Sequence, residues 1–149
     1  MASRADIDRF IAQPAIALVG LSRSGRKFGN LARRVLAAKG YRVYPIHPSA
    51  DVIDGVHCDP HLADLPEAVD AVLVVVPPDH ASAVVREAAA AGIRHVWLQQ
   101  GAESVDVLKT CDEVGVTCIW GECILMYAHP TGYHKVHRWL WRIVGKLAA

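Results

Sequence analysis

Five short apolar runs, each separated from the next by a helical stretch, constrain this chain more than any other feature. They are Ile16–Gly20, Tyr41–Ile46, Ala71–Val76, Arg94–Leu98 and Val116–Trp120. The runs are continuous and rich in β-branched residues, as strands buried on both faces must be. Between them, residues 29–39 carry an apolar stripe of Leu31, Val35 and Leu36, with Gly40 as its stop. An alanine-rich helix follows Pro77-Pro78, with Asp79 as its cap and Gly92 as its end. Ser104–Glu113 is helical and Gly115 stops it. Before the first strand, Ser3 and Asp6 predict a capped amphipathic helix that Pro14 ends. Strand–helix alternation of this kind predicts an α/β fold: a Rossmann-like open parallel sheet of about five strands with helices on both faces.

A chain of 149 residues fits one domain. We place its core at 16–123 and a C-terminal helical extension at 124–149. The net charge of +1 gives no electrostatic footprint for nucleic acid. No apolar run reaches the roughly 20 residues of a membrane span. Residues 1–13 lack the apolar centre of a signal peptide, so a cytoplasmic location is expected. Cys58, Cys111, Cys118 and Cys123 form no C-x-x-C pair and are expected to be free thiols.

In an open parallel sheet, ligands bind beyond the carboxyl ends of the strands. The first such end reads Gly20-Leu-Ser-Arg-Ser-Gly25-Arg-Lys-Phe-Gly29-Asn30. Glycines admit a ligand close to the backbone, and a helix N-terminus offers free N–H groups to an anion. Ser22, Arg23, Ser24, Arg26 and Lys27 add donors and positive charge, which suits a pyrophosphate. No Gly-Lys-Ser/Thr closes the loop, and Ser22 stands where a dinucleotide fingerprint has its second glycine. An NAD site also wants an acidic residue after the second strand. Here the chain reads Tyr44-Pro-Ile-His-Pro48, which leaves a phosphate-bearing ribose, as in NADP or coenzyme A.

The ordered set Val19-Gly-Leu-Ser22, Lys27 with Gly29-Asn30, Gly40-Tyr-Arg-Val-Tyr-Pro-Ile-His-Pro48, Val74-Val-Val-Pro77 and Trp97-Leu-Gln-Gln-Gly-Ala102, with Cys123, resembles the CoA-binding domain proteins. These are single-domain relatives of the N-terminal domain of the succinyl-CoA synthetase alpha subunit. The resemblance implies coenzyme A or an acyl-CoA as ligand. It implies that Gly20, Ser22, Arg23, Lys27 and Asn30, with Gly29 beside them, hold phosphates. Pro45, His47 and Pro48 would flank the loop near the nucleotide. Val76 and Pro77 would pack against the ligand, and Gln100 and Gly101 would face its pantetheine.

The expectation is therefore a binding module for CoA or acyl-CoA without catalysis of its own. An NADP-linked oxidoreductase or a small CoA-dependent transferase is the alternative, and a regulatory partner subunit is a third reading. Cys123 is a candidate neighbour of the CoA thiol. In the extension, His134 and His137 with Cys123 or His129 have the ligand types of a zinc site, but their spacing matches no standard one and no metal is expected. Trp139 and Trp141, among basic residues, suit a closing helix or a surface for self-association or a protein partner.

Overall fold

The computed structural model describes residues 2–128. The expected C-terminal helix, with its histidines and tryptophans, lies outside the described residues. Helix α1 (Arg4–Ile11) opens the fold on a capping box: Ser3 Oγ accepts from the Asp6 N–H, and the Asp6 carboxylate accepts from the Ser3 N–H. Strand β1 (Ala15–Val19), helix α2 (Phe28–Ala38) and strand β2 (Arg42–Ile46) follow. A small hairpin, β3 (Val52–Ile53) with β4 (Val56–His57), precedes β5 (Ala71–Val74). Helix α3 (Pro78–Ala90), strand β6 (His95–Leu98), helix α4 (Val105–Val114) and strand β7 (Thr117–Ile119) complete the alternation.

The five main strands form one parallel sheet in the order β2-β1-β5-β6-β7. This is the expected α/β Rossmann-like fold. From β1 the chain runs outward to β2, then returns past β1 to β5. The reversal leaves a crevice between the carboxyl ends of β1 and β5, where such folds hold ligands.

Alternate side chains on each strand serve opposite layers. Ile16, Leu18, Leu73, Trp97 and Ile119 pack with Ile7, Phe10, Ala32 and Leu36 of α1 and α2. Ala17, Val72, Val74, Val96 and Leu98 pack with Ala81, Val85 and Ala88 of α3 and with Val107 and Cys111 of α4. Both sheet faces are covered, which is why the runs show no polar alternation. Trp97 centres the first layer: its ring meets Phe10 edge-on at 5.2 Å and Tyr127 at 5.9 Å. Its indole N–H, fully buried, donates to the Glu122 carbonyl at 3.2 Å.

Three local expectations are corrected. Leu31 is 44% exposed, because the face of α2 turned to the sheet carries Gly29, Ala32 and Leu36 instead. Asp79 is not the cap of α3. Pro77 holds that position and Pro78 starts the helix, where its missing N–H costs nothing, so Asp79 lies in the first turn and favours the helix dipole. Strand β5 ends at Val74, so Val75 and Val76 extend beyond the sheet and form part of the crevice wall.

Candidate functional site

The first loop leaves β1 through Gly20, whose φ is +127°. A Cβ there would lie 2.2 Å from the Val75 carbonyl oxygen. The chain at the end of β1 therefore touches the chain at the end of β5 backbone to backbone, and only glycine permits it. Gly29, in the first turn of α2, makes the second close approach: its Cβ would lie 2.3 Å from the Gly20 carbonyl oxygen. Together the two glycines pull the N-terminus of α2 down onto the crevice. Lys27 is the N-cap residue of α2, and no side chain caps the helix there. The first N–H groups of α2 therefore face the loop with no side chain on them, the arrangement that receives anions.

Asn30 is fully buried beneath the loop. Its carboxamide oxygen accepts from the Ser22 N–H at 3.1 Å, and its NH2 donates to the Ser22 carbonyl at 2.9 Å. Both edges of the amide are engaged by the protein, so Asn30 shapes the loop from behind. Ser22, Arg23 and Lys27 face outward and line a cavity of about 490 Å³ together with Gly20, His47, Ser49, Val75, Val76 and Pro77. Arg23 also donates to the Ser49 hydroxyl across the cavity. No carboxylate is among the lining residues.

His47, just past β2, accepts from the Ala50 N–H at 2.9 Å and the Ser49 N–H at 3.2 Å, both through Nδ1. An imidazole that accepts at Nδ1 is neutral and carries its proton on Nε2. Burial, and then the nearby Arg23 charge, push its pKa below the ordinary histidine value. His47 is thus a neutral donor toward the cavity, and it has no free nitrogen to act as a base. Pro45 is buried within β2, opposite Leu18 of β1, whereas Pro48 is exposed on the turn that follows. Neither lines the cavity; they fix the path of the chain on either side of His47.

Val75, Val76 and Pro77 also bound a second, smaller cavity of about 210 Å³, closed by Gln99, Gln100, Gly101 and Ala102. The two spaces share that wall, and so they form a groove along the tips of β1, β5 and β6. Gln100 Nε2 donates to the Gly121 carbonyl at 3.4 Å, which ties this tip to that of β7. Gln99, buried, accepts from the Ile124 N–H at 3.2 Å. Cys123 caps the short 3-10 turn Ile124–Met126. It is half-buried against the α1–α2 layer and lines neither space.

The sequence reading missed Asp54. Its carboxylate accepts from Asn30 Nδ2 at 3.2 Å and from Arg34 Nη1 at 3.1 Å, behind the first loop. The Asp54-Gly55 pair between Val52-Ile53 and Val56-His57 is a hairpin signal, and both central residues have positive φ, as such a turn requires. A larger cavity, about 690 Å³, lies at the opposite end of the sheet among 62–70 and 91–94. Its carboxylates are already matched: Glu67 with Arg42 and Tyr44, Asp70 with Arg94. No cluster of three or more metal-ligating side chains occurs among the described residues. No helix among them is long and apolar enough to cross a membrane.

Residues 14–129 match the family model described as a CoA binding domain. An ADP-forming acetate–CoA ligase of Archaeoglobus fulgidus is 33% identical over 82 residues, covering 54% of this chain and 12% of the ligase. The match therefore spans only a small part of that enzyme. A conserved hypothetical protein of Pyrococcus furiosus is similar in structure, with a TM-score of 0.69 and 39% identity over 74% of this chain and 95% of its own. An acetyl-coenzyme A synthetase of Ca. Korarchaeum cryptofilum, in its apo form, shows 27% identity and a TM-score of 0.65 over 75% of this chain and 27% of its own.

Proposed function

The chain belongs to the CoA-binding domain family, and from that premise we propose that it binds coenzyme A or an acyl-CoA in the groove along the tips of β1, β5 and β6. The observation that carries the reading is the first loop. Two obligatory glycine contacts bring an uncapped helix N-terminus, Ser22, Arg23 and Lys27 to one cavity that no carboxylate lines. A pyrophosphate and a ribose phosphate are the ligand groups such a cavity selects. The narrower space between Val76, Pro77 and the Gln100-Gly101 tip then takes the pantetheine arm. In this reading the residues 16–123 are the core of a single binding domain.

Binding without chemistry is the role these side chains support. His47 holds two backbone N–H groups with its only acceptor nitrogen, so neither Ser22 nor Ser49 has a histidine base beside it. Cys123 packs away from the groove lining, which argues against a covalent adduct with the CoA thiol.

Calorimetric titration with CoA, and with NADP and NAD alongside, tests the proposal. Saturable binding of CoA is the expected result, and binding of NADP in its place would move the reading to hydride chemistry. Lys27→Ala should weaken CoA by about 1–3 kcal/mol, the worth of one charge-assisted phosphate bond. An unchanged dissociation constant would remove Lys27 from the site.

A further inference from the structure

The β3–β4 hairpin reaches the first loop through a single side chain. Asp54 sits at the hairpin turn with φ of +51°, a conformation that aspartate tolerates better than most residues. Its side chain is 24% exposed, and the carboxylate meets Arg34 Nη1 at 3.1 Å and Asn30 Nδ2 at 3.2 Å. Each of those partners carries the contact onward to the loop backbone. Asn30 brackets the Ser22 N–H and carbonyl, and Arg34 Nη1 donates to the Gly25 carbonyl at 3.2 Å. Asp54 Oδ1 lies so close to Gly25 that a Cβ there would be 2.4 Å away.

These contacts close a circuit: Ser22, Asn30, Asp54, Arg34, Gly25. The circuit grips the loop at its start and at its middle, and it lies on the side turned away from the cavity. Neither Asp54 nor Arg34 lines that cavity. Arg34 is also paired here, so the charge that lines the cavity is that of Arg23 and Lys27.

We propose that Asp54 is a positioning residue: from the hairpin it braces the phosphate-binding loop through Asn30 and Arg34, and so sets ligand affinity without touching the ligand. The affinity part rests on the CoA reading given above; the brace itself does not. Holding the loop in its binding shape before the ligand arrives removes an ordering cost from the binding step. Removing the carboxylate returns that cost, and it leaves a buried amide and a guanidinium short of an acceptor.

Asp54→Gly is the decisive variant, because glycine accepts the positive φ and deletes only the side chain. Asp54→Asn keeps the turn and one acceptor oxygen, and serves as the rescue. Two readouts are needed. Amide exchange in the free protein follows the Ser22 and Gly25 N–H groups against Val75 N–H, which donates to the Val19 carbonyl just past the end of β5 and makes no contact with Asp54 or its partners. Calorimetry follows CoA.

Asp54→Gly should speed exchange at Ser22 and Gly25 by about tenfold or more, leave Val75 unchanged, and weaken CoA by about tenfold. Asp54→Asn should fall between that variant and the native protein on both counts. Loop exchange unchanged in Asp54→Gly overturns the brace. An equal rise in exchange at Val75 also overturns it, since Asp54 would then be a general stability residue. A loosened loop with undiminished CoA affinity overturns the claim on affinity alone. Native protein that binds no CoA defeats the ligand reading and the affinity claim, while the exchange experiment still decides the brace.

Discussion

His47 shows how a single residue's hydrogen bonds fix its chemistry. A histidine at this position has two states open to it, a charged imidazole or a neutral donor. The two backbone N–H groups on Nδ1 select the neutral form, and protonation there would put a proton against two donors. Burial and the Arg23 charge act in the same direction. The consequence for stability has a definite sign. When the pKa of a base is lower in the folded protein, the unfolded chain takes up the proton first as pH falls. The stabilising contribution is therefore complete above about pH 6.5, the value of an unperturbed histidine, and declines below it until the folded-state pKa is reached. An NMR titration of the His47 ring should show a folded pKa below that value, with the Nε2–H tautomer at neutral pH. Urea melts should show His47→Gln losing less stability between neutral and mildly acidic pH than the native protein. A folded His47 that titrates at or above the ordinary value would contradict the assignment.

At the scale of elements, the site exists because α2 and the β1 loop touch without side chains between them. Gly29→Ala tests this in a way that separates local from tertiary preference. Gly29 has ordinary helical backbone, and alanine there favours the isolated helix by roughly 1 kcal/mol. Its methyl group would nonetheless meet the Gly20 carbonyl oxygen at 2.3 Å, an atom of the backbone that cannot swing aside. The overpacking should prevail, with a net loss of about 1–3 kcal/mol in chemical denaturation and weaker CoA binding as α2 is pushed from the loop. A more stable variant with native affinity would show that the contact is slack. The same elements show what is legible in a sequence. The strands, the glycine-led loop and the helix stops are local signals, so the order of elements across residues 16–40 could be read directly. The direction of the Asn30 side chain was not readable, because the acceptors and donors that claim it belong to Ser22 and to Asp54, 24 residues away in the chain. Leu31 misled for a related reason: the packed face of α2 is set by the small residues Gly29 and Ala32 together with Leu36, and Leu31 falls outside it.

At the scale of the whole molecule, the strand order determines where charge accumulates. The crossover from β2 back to β5 opens the crevice, and the chain then places Arg23, Arg26 and Lys27 on the loop at one side of it. Without a ligand, like charges on one short loop oppose each other; a ligand carrying several phosphate charges reverses that term and adds hydrogen bonds. Ligand binding to the folded state alone must raise stability by an amount set by concentration over dissociation constant, about 2.7 kcal/mol at a hundredfold excess over that constant. For a chain of this length that corresponds to a rise in melting temperature of roughly 5–10 °C. The shift should shrink as salt is added, because the loop cations are exposed and their attraction is screened. It should also shrink when CoA is replaced by its 3′-dephospho form, if the cavity free of carboxylates receives the ribose phosphate as proposed. Equal shifts with CoA, 3′-dephospho-CoA and NAD would mean that the groove reads only the pyrophosphate. In that event the region around His47, Ser49 and Arg23 would carry no part of the recognition, and the affinity would reside in the glycine-held loop and the N-terminus of α2.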